Sequence, residues 1–190
     1  MNRNKAEFPK IIHPQFGEIT APYIISASRA TDIPAFYSDW LIKRFENGYV
    51  VKINPYDRSR ISYISLEKVK AIVFWSKNPK PLIDKLDFFD RQNISYYFQF
   101  TLNDYEIENL EPGIPQLNER IEIFQRLSEK IGKEKVIWRF DPLIKTDITS
   151  YEELLERIMK IAKNIFPFTN KLLFSFAEIE SYRKVRRAFN

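Results

Sequence analysis

"VIWRFDPLI", residues 136–144, is the stretch on which the reading of the fold turns. Its ends are apolar and β-branched, as in a buried strand, yet Arg139 and Asp141 alternate with Trp138 and Phe140. Successive side chains of a strand face opposite ways, so both charges share one face and both aromatic rings share the other. Such a strand suits a wall whose outer side packs on helices and whose inner side opens to a polar mouth.

Other stretches fit the same plan. Residues 23–28 (YIISAS), 49–54 (YVVKIN), 71–78 (AIVFWSKN), 95–103 (SYYFQFTLN) and 171–179 (KLLFSFAEI) also read as strands, and amphipathic stretches follow most of them. Pro34 suits a first helical turn and Gly48 a C-terminal cap. Leu117, Ile121, Phe124, Leu127 and Ile131 form one apolar stripe that stops at Gly132, and Ser150 with Glu153 fits a capping box. Residues 55–70 (PYDRSRISYISLEKVK) read only as a connection.

Strands separated by helices predict parallel pairing. The 4 glycines form neither a G-x-G-x-x-G nor a P-loop, the marks of a doubly wound nucleotide binder. The expected fold is therefore α/β, a (β/α) TIM-barrel-like domain over residues 23–190 after a lead-in at 1–22, incomplete with about six parallel strands. An incomplete barrel keeps an open edge, which predicts either dimerisation or an accessible edge beside the last strand.

Composition narrows the chemistry. The chain has 190 residues, no cysteine and a single histidine, His13. Disulfides, thiolate nucleophiles, Cys-ligated zinc, cysteine-held iron–sulfur clusters and histidine-rich metal sites are excluded within it. A net charge of +5 favours anionic ligands. No segment approaches the ~20 apolar residues of a membrane span, and a cytoplasmic protein without membrane partners is expected.

In parallel α/β folds the ligand site lies at the carboxyl ends of the strands. Here those ends are polar. They offer Ser28, Arg29 and Asp32; Asn54; Lys77 and Asn78; Gln99 and Thr101; Arg139 and Asp141; and Ser175. Asp141, Asp32 and Lys77 are the candidate catalytic groups, and the others are candidate substrate ligands. Structural readings stand beside these: a buried ion pair for Arg139 and Asp141, a helix cap for Asp32, a turn for Lys77 and Asn78. The basic run Arg183, Lys184, Arg186 and Arg187 adds nucleic acid as an alternative partner.

The stretches "SASRATDIPAFYSDW", "VFWSKNP", "YYFQFTLN" and "VIWRFDPLI" resemble, in the same order, motifs of an uncharacterised bacterial and archaeal family, the domain of unknown function eighteen-forty-eight. The resemblance covers roughly residues 23–187. Its members usually carry Arg where this chain has Ala30. They are typically longer, and their C-terminal part holds a cysteine cluster similar to that of radical S-adenosylmethionine enzymes.

The resemblance implies a substrate-binding (β/α) portion of a radical-SAM-like enzyme, truncated or split before its cysteine segment, that takes an anionic small molecule or nucleotide. No cofactor is expected within this chain. An iron–sulfur cluster and S-adenosylmethionine would require a cysteine-rich segment or partner chain. The alternatives are a cofactor-free or magnesium-dependent barrel enzyme using Asp141 or Asp32, and a non-catalytic nucleic-acid-binding module.

Overall fold

A computed structural model describes residues 8–27, 31–54 and 56–177. They belong to two compact units, Met1–Tyr97 and Phe98–Asn190. The fold is mixed α/β, with a sheet of five parallel strands in the order β3-β6-β7-β8-β9, whose members are defined below.

The first unit holds β1 (Lys10–His13), β2 (Gly17–Thr20), β3 (Ile24–Ala27), α1 (Ile33–Phe36), α2 (Ser38–Asn47), β4 (Tyr49–Ile53), β5 (Ile61–Ser65), β6 (Ala71–Ser76), α3 (Lys80–Ile83) and α4 (Asp87–Arg91). Pro34 lies in the first turn of α1, and Gly48 closes α2 at φ +79°, a left-handed conformation that glycine adopts without Cβ strain. The helix expected over this stretch is two helices, because Tyr37 (φ −134°, ψ 28°) leaves the helical region between them. β3 and β6 pair in parallel from Ile24 with Ala71 to Ala27 with Phe74.

Behind β6 lies a core of Ile72, Phe74, Leu82, Ile83, Leu86 and Phe89, each at most 1% exposed. Phe89 is its hub. Its ring meets those of Phe45, Phe88, Phe74 and Tyr96 at 5.2, 5.3, 5.8 and 6.0 Å, in tilted or edge-on geometries that suit the aromatic quadrupole.

β7 (Ser95–Thr101) carries the chain into the second unit, which continues with α5 (Leu117–Ile131), β8 (Val136–Leu143), α6 (Tyr151–Ile165) and β9 (Leu172–Phe176). β8 pairs in parallel with β7, Arg139 opposite Thr101, and with β9, Arg139 opposite Leu173. Phe98, Phe100, Trp138 and Phe140 are buried, and the Phe100 ring lies 5.1 Å from Phe124 of α5. The capping box of α6 forms: Glu153 N–H donates to Ser150 Oγ (3.2 Å) and Ser150 N–H to Glu153 Oε2 (2.6 Å).

Two expectations change. The sequence places residues 49–54 in the parallel sheet, but β4 pairs antiparallel with β5 in a separate four-stranded sheet of order β1-β2-β5-β4. The reason is local. In the connection, Asp57 accepts the N–H and hydroxyl of Ser59 while Asn54 N–H donates to Arg60 O, so the chain turns back at once and leaves no room for a crossover helix. The parallel strands therefore number five where about six were expected, and no closed barrel forms among the described residues. There β9 pairs only with β8, and all five of its residues are exposed, Phe174 at 56% and Phe176 at 62%.

Replacing Phe89 with Ala removes the hub of four ring contacts. It should cost about 3–5 kcal/mol, the usual range for a fully buried phenylalanine, read as a lowered urea midpoint with unchanged slope.

Candidate functional site

Polar side chains gather at strand ends in each unit. In the first, Asp32 caps α1 by accepting Ala35 N–H at 3.0 Å. The same carboxylate accepts the Ser76 hydroxyl, at 2.8 Å to Oδ1 and 3.0 Å to Oδ2, and the Lys77 N–H at 2.8 Å. Asn78 N–H in turn donates to Ser76 Oγ at 3.0 Å. One carboxylate thus satisfies a helix start and the end of β6 together, which fixes α1 against the strand. Asp32 carries the capping role that its position ahead of Pro34 suggests.

In the second unit the alternation along β8 is as the sequence implies. Trp138 and Phe140 are buried, and Trp138 Nε1–H donates to Leu102 O at 2.7 Å. Arg139 and Asp141 share the other face, form an ion pair and remain 15% and 20% exposed. Arg139 Nη1 also donates to Gln99 Oε1 at 2.7 Å, and the Ser175 hydroxyl donates to Asp141 Oδ1. Gln99, Arg139, Asp141 and Ser175, from three adjacent strands, thus form one bonded cluster, with Thr101 opposite Arg139 in register. Partial burial draws the Arg139 guanidinium below its ordinary pKa.

The loop between β7 and α5 is tied down by two arginines that sequence reading passed over. Arg120 of α5 is fully buried and donates from Nε to Pro115 O at 2.9 Å and from Nη1 to Asn103 Oδ1 at 3.5 Å, while Glu106 Oε1 lies 3.8 Å from Nη2. Arg157 of α6 donates from Nη1 to Asp104 O at 2.7 Å and pairs with Glu108 Oε1 at 2.9 Å. Thr149 also donates to Glu108. The signal was there. Arg120 falls three residues after Leu117 and Arg157 three after Leu154, so each interrupts an apolar stripe, where a charge must find a partner.

The remaining candidates divide plainly. Ser28 and Arg29 lie outside the described residues, as does the basic run 183–187. Asn54 belongs to the β4–β5 turn, where its side chain accepts Tyr56 N–H at 2.9 Å, and so does not stand at the end of a parallel strand. Asn78 accepts Lys80 N–H at 3.4 Å at the start of α3. Lys77 enters the Asp32 cluster through its backbone. β7 ends at Thr101, and just beyond it Asn103 is fully buried and accepts from Arg120. Among the described residues no group of three His, Cys, Asp or Glu could hold a metal ion, and no helix is long and apolar enough to cross a membrane.

The profile of the domain of unknown function DUF1848 matches residues 24–190. The chain belongs to this family. Comparison with curated proteins and with solved structures gives no match. The DUF1848 match takes in every strand and helix from β3 onward, and with them both polar clusters.

Glu108 links this DUF1848 fold to pH. Burial pushes its pKa upward, but hydrogen bonds from Arg157 and Thr149 and the charge of Arg157 outweigh burial and hold it below its ordinary 4.5. A carboxylate depressed in the folded state adds stability that is complete above the unfolded pKa and is lost as pH falls through the folded one. Urea midpoints taken from neutral pH down to about pH 3 should therefore fall below 4.5 in the wild type. In Glu108→Gln they should start lower and fall less steeply over that window.

Proposed function

We propose that the chain binds a small anionic molecule or nucleotide at the carboxyl ends of its parallel strands, as the substrate-holding part of a larger radical-SAM-like enzyme on a (β/α) barrel-like scaffold. The observation that carries this reading is the cluster of Gln99, Arg139, Asp141 and Ser175, held on the strand face away from the buried aromatic rings and still reached by solvent. Arg139 would take a phosphate or carboxylate through charge-assisted bonds. Asp141, oriented by Ser175, would accept a hydroxyl or amine proton of the same ligand, and Gln99 keeps the guanidinium in place. Thr101 lies beside them in register. In this reading Asp141 is the group best placed for proton transfer, while Asp32 and Lys77 hold the start of α1 to the end of β6.

The donor set does not fit an iron–sulfur cluster. Clusters are held by cysteine thiolates, and this chain has none. Any cluster and S-adenosylmethionine would be held by a cysteine-rich polypeptide outside these residues, and no step through them is assigned to this chain.

Thermal melts of the full chain with inorganic phosphate and with adenosine monophosphate test the binding reading. A midpoint that rises saturably with either compound in the wild type, and not in Arg139→Met, supports it. No rise with either, or an equal rise in both proteins, overturns it. Asp141→Asn, which frees the guanidinium from its carboxylate partner, should raise the phosphate response and narrow the nucleotide's advantage over phosphate, since only the nucleotide offers ribose hydroxyls to the carboxylate.

A further inference from the structure

In the first unit the four-stranded sheet bounds a cavity of about 380 Å³ with a mostly apolar lining. Its floor is a rung across three strands, in which Thr20 of β2 is level with Ile64 of β5, and Ile64 with Val50 of β4. Ile24 of β3 and Trp40 of α2 also line it, and both stay exposed, Trp40 at 43%. An indole left open beside an apolar cavity is surface that a ligand would cover.

Among the described residues that line the cavity, one is charged. Two residues after Val50, strand alternation brings Lys52 to the same face, and Lys52 lines the cavity. Its ammonium makes no hydrogen bond or ion pair with the described residues. Lys10 and Glu18, also on this sheet, neutralise one another at 2.7 Å and do not line the cavity. The volume falls within the range of small-molecule sites, roughly 300–1,000 Å³, where an apolar lining supplies affinity and a few polar groups set orientation.

We propose that this cavity binds an apolar carboxylate: one chain or ring system lying on Ile64, Val50 and Trp40, with its acid group on the Lys52 ammonium. Charge complementarity selects the acid over an alcohol or amine of the same size. The ammonium keeps its head in water while its methylene stem lies along the apolar wall, which places the acid group at the cavity mouth.

Isothermal titration of the full chain with decanoate, decanol and decylamine tests the assignment. Decanoate should bind saturably and more tightly than the other two. Lys52→Met, an exposed substitution that keeps the stem, should weaken decanoate by about ten- to hundredfold, the loss of one charge-assisted bond, and leave decanol unchanged. Val50→Phe, which narrows the floor, should weaken all three. Absence of saturable decanoate binding overturns the proposal, as does undiminished decanoate affinity in Lys52→Met or in a folded Val50→Phe.

Discussion

The strand face that carries Arg139 and Asp141 obeys one constraint: two charges withdrawn from much of their water must be compensated where they stand. Either alone would be costly there. Being two residues apart on β8 puts them on the same side, and their neighbours complete the arrangement, Gln99 from β7 and Ser175 from β9. Parallel pairing in this register brings those partners within reach. The opposite face of β8 is free to be apolar because its polar requirements reduce to the Trp138 N–H, which Leu102 O meets. One strand can therefore serve the core and the cluster at once.

The same logic governs the loop after β7. Arg120 and Arg157 leave different helices, interrupt apolar stripes and end on the one loop, against Asn103, Asp104 O, Glu106 and Glu108. Glu106 does further work by accepting Leu117 N–H at the start of α5. Tyr105, between these acids, donates to Pro142 O at 2.8 Å and accepts Ile144 N–H at 2.9 Å, joining the loop to the end of β8 just beyond Asp141. The loop is thereby tied to the end of β8 by the buried Tyr105, and to the two helices by the fully buried Arg120 and the half-buried Arg157.

Much of this was legible from residue order, for physical reasons that also explain the gaps. Alternation in "VIWRFDPLI" and the stripe from Leu117 to Ile131 are period signals, which burial enforces along a single element. The cap at Asp32 and the box at Ser150 are likewise local. What escaped was non-local or short. β5 does not stand out because it is only five residues long and follows a turn held by Asp57, and such a turn reverses the chain whatever the strand pattern on either side suggests. Arg120 and Arg157 were visible as interruptions of a stripe, but their partners lie up to 53 positions away. No periodicity reports such a partner.

The pairing of Arg139 with Asp141 bears on what kind of ligand the cluster suits. At the proposed site a bare anion would gain little from a guanidinium whose charge is already balanced, because it would compete with a carboxylate held in place by Ser175. A ligand that brings both an anionic group and a proton donor replaces each half of the pair with an equivalent contact, so neither charge is left uncompensated when it binds. Nucleotides and hydroxy acids have that character, and simple phosphate has only half of it. In the proposed site the cluster's neutrality would act as a filter on ligand chemistry, set by the spacing of two residues on one strand.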